Sequence, residues 1–436
     1  MACVARLLVL AALLLIAAPP AISGQATAAD SARVPDRLRV FVDCQAPYCD
    51  FDYIRTEITS VDYVRDRRDS HVHALITAES TGGGGWSFTL AFLGQGPFAR
   101  QDQTLSYVSR GGDTEDEVRS GLTRLLHLGL VRYLAATPLA NRLRVSIAES
   151  EAAAPALDPA NDPWNLWSFR LGASGRLSGE EASSSSGTSG SFSATRVTEM
   201  WKIEIGGFGS YNTSRFDVPT EEGTTVTERF HQHSYDGNAL VVRSMGGQWA
   251  SGVELSVRGS TRENQRLTMR LAPAIEGNFF PYGESTRRKL IARYTMGVSR
   301  YAYDDTTIYF KMNEVLATHE LLVGYSATQP WGSVNFSVNA SQALRDTDIY
   351  RLTGGGFGEF RLFRGFSLNV FGSYSRINDQ IYLAKRNLTP ADVLLRRRQL
   401  ATGYEFSGSV GISYRFGSIF QNVVNPRFTS DFFFCC

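Results

Sequence analysis

The 436-residue sequence has no apolar run long enough to cross a bilayer as a helix. Its longest run, residues 7–18, is about a dozen residues long, whereas a transmembrane helix needs ~20 residues. Charge of one sign is also scarce, because 44 Lys and Arg residues balance 43 Asp and Glu residues. These absences argue against a helical membrane protein, and they predict no nucleic-acid partner, since such binders are usually basic.

The short apolar run at the N-terminus has the form of a secretory signal peptide. Arg6 precedes it, and Pro19, Pro20 and a series of small residues follow it. We expect residues 1–28 to be removed on export. An uncleaved anchor helix is the alternative, which the shortness of the run disfavours. Cys3 lies before the run, so it is not a lipid-attachment cysteine at the cleavage point.

Cysteine is rare, with five residues in the whole chain. Cys44 and Cys49 lie close together in VDCQAPYCD, and disulfides persist in exported proteins, so we predict a disulfide between them. A metal site is the alternative, but no second pair of ligands accompanies these two. Cys435 and Cys436 end the sequence, and the pattern gives them no role.

Recognisable catalytic and cofactor motifs are lacking as well. The sequence has no G-x-S-x-G elbow, and the glycine run at residues 82–85 lacks the Lys-Ser/Thr ending of a phosphate-binding loop. The histidines considered as metal ligands or catalytic bases are His71 with His73, His231 with His233, and His319. A metal would need a third ligand, and a nucleophile would need a suitable context. We therefore predict no catalytic residue, no cofactor and no metal ligand, and keep a hydrolase as the least favoured alternative.

The first part of the exported chain mixes helix and strand signals. LRVFVDC is typical of a buried strand, and Thr114 with Glu117 forms a capping-box pattern ahead of a helix with one apolar face. These signals predict a small α+β domain over residues 36–150. An Ala/Pro/acidic stretch, residues 151–163, is typical of a linker.

From Trp164 onward the pattern changes to period two. In GSVGISYRFG, residues 408–417, large apolar residues alternate with small or polar ones, as in a strand with one apolar and one wet face. An even number of such strands indicates a transmembrane barrel over residues 164–417, with an apolar face toward lipid and a polar interior. The twelve predicted strands lie near residues 164–178, 188–199, 201–212, 227–243, 249–262, 266–280, 289–303, 311–327, 331–345, 348–363, 366–378 and 399–417.

The connections between predicted strands alternate in length. We predict long polar loops at residues 179–190 (GEEASSSSGTSG), 213–226 and 379–398, and tight turns at residues 329–330 and 364–365. Long loops outside and short turns in the periplasm are typical of closed outer-membrane barrels, with both chain ends in the periplasm. Residues 418–436 follow the last strand as a C-terminal extension.

Tryptophan placement supports this topology. The amphipathic indole ring favours the membrane interface, and five tryptophans stand at the starts of odd-numbered predicted strands. We expect all five to lie on the periplasmic rim: Trp164, Trp167, Trp201, Trp249 and Trp331.

Parity along the strands separates a lipid-facing set of residues from a lumen-facing set. The lumen set carries nearly balanced acids and bases, which predicts either a salt-bridged interior or a polar pore with opposed walls. A ring of one sign, expected for a strongly selective ion channel, is missing. The predicted lumen charges are Arg170, Arg176, Lys202, Glu204, Asp236, Glu254, Arg258, Arg270, Glu276, Arg293, Glu320, Glu359, Arg361, Glu405 and Arg415.

Several segments resemble a group of uncharacterised exported β-barrel proteins of Gram-negative bacteria. In the barrel these are PAIEGNFFPYGESTRRKL, LRRRQLATGYEF and YRFGSIFQNVVNPRF, and in the first domain VFVDC, CDFDYIRTEI, GGGG and GLVRYLA. The resemblance covers most of the exported chain. It implies an outer-membrane barrel preceded by a periplasmic α+β domain, and it implies no activity.

These patterns together predict an all-β transmembrane barrel of about twelve antiparallel strands preceded by a small α+β periplasmic domain. Its expected function is narrow solute passage or a structural role in the envelope, and the alternative is an assembly or binding module acting through the periplasmic domain. The expected partners are outer-membrane lipid, including lipopolysaccharide, and a periplasmic protein. The arginines at residues 396–398 would contact the phosphates of lipopolysaccharide. The solute and the openness of the lumen stay open at this point.

Overall fold

The computed structural model describes residues 35–145, 162–219, 224–385, 401–425 and 427. The predicted signal peptide, most of the predicted linker, the basic residues 396–398 and the two final cysteines lie outside the described residues. In the part of the chain that is described, no helix is long and apolar enough to cross a bilayer.

The N-terminal domain is a five-stranded sheet packed against two helices. Its strands are β1 (Arg39–Gln45), β2 (Asp62–Tyr63), β3 (Val72–Ser80), β4 (Trp86–Gly94) and β5 (Gln103–Val108), and its helices are α1 (Phe51–Glu57) and α2 (Glu115–Leu134). The sheet order is β2-β1-β3-β4-β5, with β1 parallel to both of its neighbours. Short 3-10 helices lie at Arg67–Asp69, Gly96–Phe98 and Pro138–Arg142.

Helix α2 begins where the sequence pattern indicates. The Thr114 hydroxyl accepts from the Glu117 amide, and the Glu117 carboxylate accepts from the Thr114 amide, which completes the predicted capping box. Leu122, Leu126 and Leu130 from its apolar face are fully or almost fully buried in the domain core. Burial of this stripe against the sheet fixes the helix in place, because helix propensity alone seldom does so.

The rest of the described chain forms one twelve-stranded antiparallel sheet in which sequence neighbours pair throughout. The predicted fold class, a twelve-stranded antiparallel β-barrel fold preceded by a small α+β domain, is confirmed. The strands are β6 (Trp167–Gly179), β7 (Ser183–Val197), β8 (Trp201–Pro219), β9 (Thr225–Ser244), β10 (Trp249–Ser260), β11 (Gln265–Asn278), β12 (Arg288–Tyr303), β13 (Asn313–Gln329), β14 (Gly332–Ala343), β15 (Tyr350–Phe363), β16 (Phe366–Ile377) and β17 (Tyr404–Tyr414).

The first and last strands of this sheet are its two edges. Among the described residues, β6 and β17 do not pair with each other, so the expected closure of the barrel is not made by a hydrogen-bonded seam. Apolar side chains at both edges are correspondingly open, with Leu171 83% and Ile412 70% exposed.

The predicted loop at residues 179–190 is wrong, because most of it belongs to strand β7. Only three residues, 180–182, separate β6 from β7. Serine side chains join the two strands on one face, with Ser174 Oγ 2.7 Å from Ser189 Oγ and Ser178 Oγ 2.7 Å from Ser185 Oγ. The predicted loop at residues 213–226 is likewise mostly strand, because β8 and β9 extend to Pro219 and from Thr225.

Candidate functional site

One face of the large sheet carries polar or charged residues on all twelve strands. Residues paired across antiparallel strands point to the same face, so the register can be followed from strand to strand. Glu405 pairs with Ser375, Ser375 with Thr353, and Thr353 with Asn339, and the same face continues through every hairpin to Arg170 on β6. The other lumen charges predicted within strands fall on this face, and Arg415 follows the end of β17 in the same parity. We call it the polar face.

Many charges on the polar face pair with each other along the wall. Five ion pairs between strand residues join residues of the same strand, of adjacent strands, or of strands separated by one other strand, whereas Arg351 and Arg361 also pair with residues outside the large sheet. The pairs are Lys202–Glu204 at 3.0 Å, Arg258–Asp236 at 3.9 Å, Arg293–Glu276 at 2.6 Å, Arg270–Glu320 at 3.2 Å and Arg361–Glu359 at 3.8 Å.

The Arg270–Glu320 pair reaches over an intervening strand. Arg270 lies on β11 and Glu320 on β13, and the β12 residue between them is Gly297. A Cβ at Gly297 would lie 2.8 Å from Arg270 Nε, so the guanidinium rests directly above this glycine. Asn339 Nδ2 also donates to Glu320 at 2.9 Å. The absence of a side chain at position 297 therefore lets a three-strand polar network form.

At one end of the sheet, a folded-over segment of the β16–β17 connection covers the polar face. Ile381 and Leu383 of this segment are buried. The Asp379 carboxylate accepts two-pronged hydrogen bonds from Arg351 on β15, and Asn264 Nδ2 donates to the Tyr382 carbonyl at 3.0 Å. Beneath the segment lies a polar cavity of about 400 Å³ lined by strands β10 to β15. We call it the loop-end chamber.

The tryptophans predicted for the rim mark the opposite end of the sheet. Trp167, Trp201 and Trp249 are the first residues of β6, β8 and β10, and Trp331 immediately precedes β14. Trp164 precedes β6 and packs edge-on against the Phe169 ring, 6.0 Å between centroids. Trp331 stacks on Phe360 at 5.9 Å, and Trp201 lies under the Arg243 guanidinium at 5.7 Å. We call this the tryptophan end.

The N-terminal domain lies against the tryptophan end of the polar face. Arg361 on β15 donates through both terminal nitrogens to the Asp43 carboxylate on β1. In the β15–β16 turn, Arg364 pairs with Asp69, and the Gly365 amide donates to Asp66 Oδ2 at 2.7 Å. Arg361 and its neighbours are thus held by the domain at the mouth of the barrel.

A second set of contacts is made with the first barrel hairpin. Ser168 Oγ donates to the Gly83 carbonyl at 3.3 Å, and a Cβ at Gly84 would lie 3.1 Å from Arg170 Nη2. The glycine run at residues 82–85 therefore contacts the polar face. A cavity of about 590 Å³ lies between this turn and strands β6 to β8.

Asp43 is the most deeply buried charge in the contact between domain and barrel. Its side chain is 1% exposed, that of His73 0% and that of Arg361 20%. His73 Nε2 lies 3.1 Å from Asp43 Oδ2. Burial by itself raises the pKa of Asp43, but hydrogen bonds from Arg361, His73 and Gln45, together with the positive charge of Arg361, outweigh it and hold this pKa well below its ordinary value. Asp43 is therefore an ionised carboxylate at neutral pH.

The beginning of the predicted C-terminal extension adds to the N-terminal sheet. The Arg65 amide donates to the Ile419 carbonyl at 2.9 Å, and the Gln421 amide donates to the Tyr63 carbonyl at 2.9 Å. Asn422 Oδ1 accepts from the Tyr63 amide at 2.7 Å. The chain after β17 thus runs along the free side of β2 and ties the last barrel strand to the domain.

An arginine-rich cavity of about 310 Å³ lies between the domain and strands β15 to β17. We call it the arginine pocket. Its lining comes partly from strands β15 to β17 and partly from the domain, mainly from residues 65–68. Its charged lining consists of Arg65, Arg67, Arg68, Arg361, Arg415, Asp66 and Glu359. Sequence reasoning found Glu359, Arg361 and Arg415 but missed the three domain arginines, for which the only signal was the short motif RDRR.

The histidines considered from the sequence have ordinary polar or buried partners. His231 Nδ1 lies 2.9 Å from the Tyr211 hydroxyl, and His319 Nδ1 lies 3.3 Å from the Tyr294 hydroxyl. His71 accepts from the Arg39 amide at 3.0 Å. Within the described ranges, no group of three or more His, Cys, Asp or Glu residues is arranged to hold a metal.

Cys44 and Cys49 form a disulfide that closes the chain between β1 and α1. Cys44 directly follows Asp43, and Asp50, the residue just before α1, accepts from the Tyr53 amide as the N-cap. The disulfide therefore braces the segment that presents Asp43 to the barrel.

No protein-family model matches this sequence, and no curated protein matches it. Among solved structures, the translocator domain of the autotransporter NalP from Neisseria meningitidis is similar over 57% of this chain and 82% of its own, with 13% identity and a TM-score of 0.19. The NanC porin is similar over 56% of this chain and 99% of its own, with 8% identity and a TM-score of 0.25. The description of this chain therefore rests on its own geometry: a twelve-stranded antiparallel β-barrel fold with an α+β domain at its tryptophan end.

Proposed function

We propose that this protein is an outer-membrane β-barrel that passes small polar solutes and that its N-terminal domain covers one mouth of the barrel. The face opposite the polar face supports the membrane placement. In β17 it presents Phe406, Val410, Ile412 and Tyr414, side chains that lipid accepts, and none of them is charged.

The observation that carries the proposed passage is the direction of the ion pairs on the polar face. Pairs across a narrow bore would tie opposite walls together and fill it. The pairs observed between strands run along the wall instead. They join adjacent strands, or, for Arg270–Glu320, strands with one strand between them. A wall neutralised in this way leaves a polar path for small solutes, without strong selection for charge along most of its length.

The orientation follows from the placement of the tryptophans and of the domain. An exported α+β domain at the tryptophan end would lie in the periplasm, and the loops near residues 261–264, 304–312 and 378–385 would face outward. The segment over the loop-end chamber then covers the outer mouth, and the domain covers the inner one.

A pair of neighbouring residues gives a matched test of the passage. Ser341 lines the loop-end chamber on the polar face, whereas Ala340 points to the opposite face. In a background lacking Cys435 and Cys436, Ser341→Cys and Ala340→Cys would be reconstituted in liposomes and treated with a bulky, charged thiol reagent. Swelling of the liposomes in small sugars should fall severalfold for Ser341→Cys only. Equal swelling of both treated variants would contradict passage along the polar face.

A second candidate, an envelope binding or assembly module, is supported by the sheet edges of the N-terminal domain. The chain after β17 covers the β2 edge, but among the described residues β5 has no partner beyond β4. An extended segment of a periplasmic protein could add to β5 as a further strand. Crosslinking from Ser106, an exposed residue of β5, tests this, and an empty pull-down at native abundance would count against it.

We do not assign an enzymatic activity. Lipid or peptide hydrolysis by the purified protein that disappeared in His231→Ala or His319→Ala would overturn that part of the proposal.

A further inference from the structure

The arginine pocket differs in charge from the rest of the polar face. Five arginines and two acidic residues line it, whereas elsewhere on the face acids and bases are close to balance. Three of the arginines come from the domain and two from the barrel, so the excess charge exists only when the two parts are docked. The pocket therefore forms a positively charged site at the tryptophan end.

Most of these arginines lack a carboxylate partner. Arg361 is neutralised by Asp43. In contrast, among the described residues no carboxylate oxygen lies within 4.0 Å of the guanidinium groups of Arg65, Arg67, Arg68 or Arg415. The Arg65 Nε atom is buried and has no hydrogen-bond partner.

The two acidic residues of the lining do not compensate this charge. Asp66 accepts from the backbone amides of Arg68 and Gly365, at 2.9 and 2.7 Å, so its oxygens point to the main chain. Glu359 lies 3.8 Å from Arg361 on its own strand. Burial lowers the pKa of Arg67, and the nearby charges of Arg68 and Arg361 lower it further. Arg65 and Arg67 are half-buried, whereas Arg68 and Arg415 are exposed. A half-buried guanidinium without a carboxylate has lost part of its hydration, and an incoming anion would replace the lost hydrogen bonds.

We propose that the arginine pocket binds the phosphate group of an anionic ligand. Guanidinium groups match phosphate oxygens with paired, charge-assisted hydrogen bonds, and a cluster of them on two sides of a cavity can hold a tetrahedral oxyanion. The pocket opens on the polar face beside Ser367, Asn369 and Ser413, whose polar groups suit the rest of a small phosphorylated molecule. This inference rests on the proposed function and extends it, because such a site at one mouth would select anionic solutes.

Calorimetric titration of the purified full chain in non-ionic detergent tests the site directly. The two probes are inorganic phosphate and the soluble phospholipid dihexanoyl phosphatidic acid. The variants Arg67→Gln and Arg415→Gln remove one arginine from each side of the pocket, and neither arginine holds an ion pair needed for folding. Arg132→Gln, an exposed arginine on α2 outside the pocket, is the matched control.

The expected result is saturable binding that weakens at least tenfold in both pocket variants and is unchanged in Arg132→Gln. Binding of both probes indicates a free phosphorylated solute as the source of the phosphate. Binding of phosphatidic acid alone, with the same dependence on Arg67 and Arg415, indicates a lipid headgroup. Failure of the wild-type chain to bind either probe at millimolar concentration, or equal binding by Arg67→Gln, would overturn the proposal.

The binding test is independent of the passage test. If the barrel proves impermeable while phosphate binding depends on Arg67 and Arg415, the proposed site is supported and the proposed passage is contradicted. If the barrel passes solutes while phosphate binding is absent, the proposed site is contradicted and the proposed passage is supported.

Discussion

The contact between Asp43 and Arg361 is the most deeply buried ion pair that attaches the domain to the barrel. We expect Asp43→Asn to weaken it, since the substitution keeps the size of the side chain and removes its charge. The amide introduced at position 43 could still hydrogen-bond His73, but Arg361 would be left largely buried, with Glu359, 3.8 Å away, as its remaining carboxylate partner.

The size of the effect follows from burial. Removing one partner of a buried ion pair costs about 3–5 kcal/mol. The Arg361 side chain is 20% exposed and can therefore gain some hydration. We expect a cost at the lower end of this range, about 3 kcal/mol. This lowers the ratio of docked, folded domain to unfolded domain by about a hundredfold, since 1.4 kcal/mol corresponds to a factor of ten.

The pH dependence has a defined sign. The pKa of Asp43 is lower in the folded protein than in the unfolded chain, so its stabilisation is complete above the ordinary pKa near 4 and declines as the pH falls below it. Between pH 6 and pH 3 the difference in free energy of unfolding between wild type and Asp43→Asn should shrink by about 1 kcal/mol.

Urea titration of the full chain in detergent measures this effect. Ellipticity at 222 nm follows α2, because the described α-helices lie only in the N-terminal domain. Asp116→Asn, which removes an exposed ion pair with Arg119, is the control and should cost at most ~1 kcal/mol. In a double-mutant cycle, Asp43→Asn with Arg361→Gln should cost less than the sum of the single changes. A loss for Asp43→Asn no larger than that of the control would refute the proposed role of this contact.

Two further changes test other parts of the structure. Gly297→Val should displace Arg270 from Glu320 and lower the stability of the barrel by about 1–2 kcal/mol. The measurement is the temperature at which the heat-induced shift in gel mobility occurs, which should fall. An unchanged temperature would show that the three-strand network is unimportant. Asn422→Ala should weaken docking by about 1–2 kcal/mol, because the buried Tyr63 amide loses its hydrogen-bond acceptor. Hydrogen exchange at the Tyr63 amide should become faster. Unchanged exchange would contradict the contact between the chain after β17 and the domain.

Much of the large sheet could be predicted from period two alone. Segments such as residues 408–417 alternate apolar and small residues so regularly that strand β17 and its two faces follow directly. The Ser-rich start of β7 was missed because both of its faces carry small residues, so alternation between Ser185 and Ser186 leaves no hydrophobic signal. Its pairing comes from the partner strands and from serine contacts across them, which composition does not reveal.

The arginine pocket could not be predicted in the same way. Arg67 and Arg415 are far apart in sequence and belong to different domains, and no local pattern links them. The docking that joins them includes the contact of Arg361 with Asp43, which the sequence shows only as one acid beside a cysteine. Long-range contacts between two independently patterned units therefore determined the site.

Single-channel recording of the full chain in planar bilayers tests the central claim most directly. Passage along the polar face predicts discrete conductance steps, and Asp43→Asn should increase the time spent in the open state by releasing the domain from the tryptophan end. Continued electrical silence from both proteins, with barrels shown to be folded by their heat-dependent gel mobility, would contradict the account.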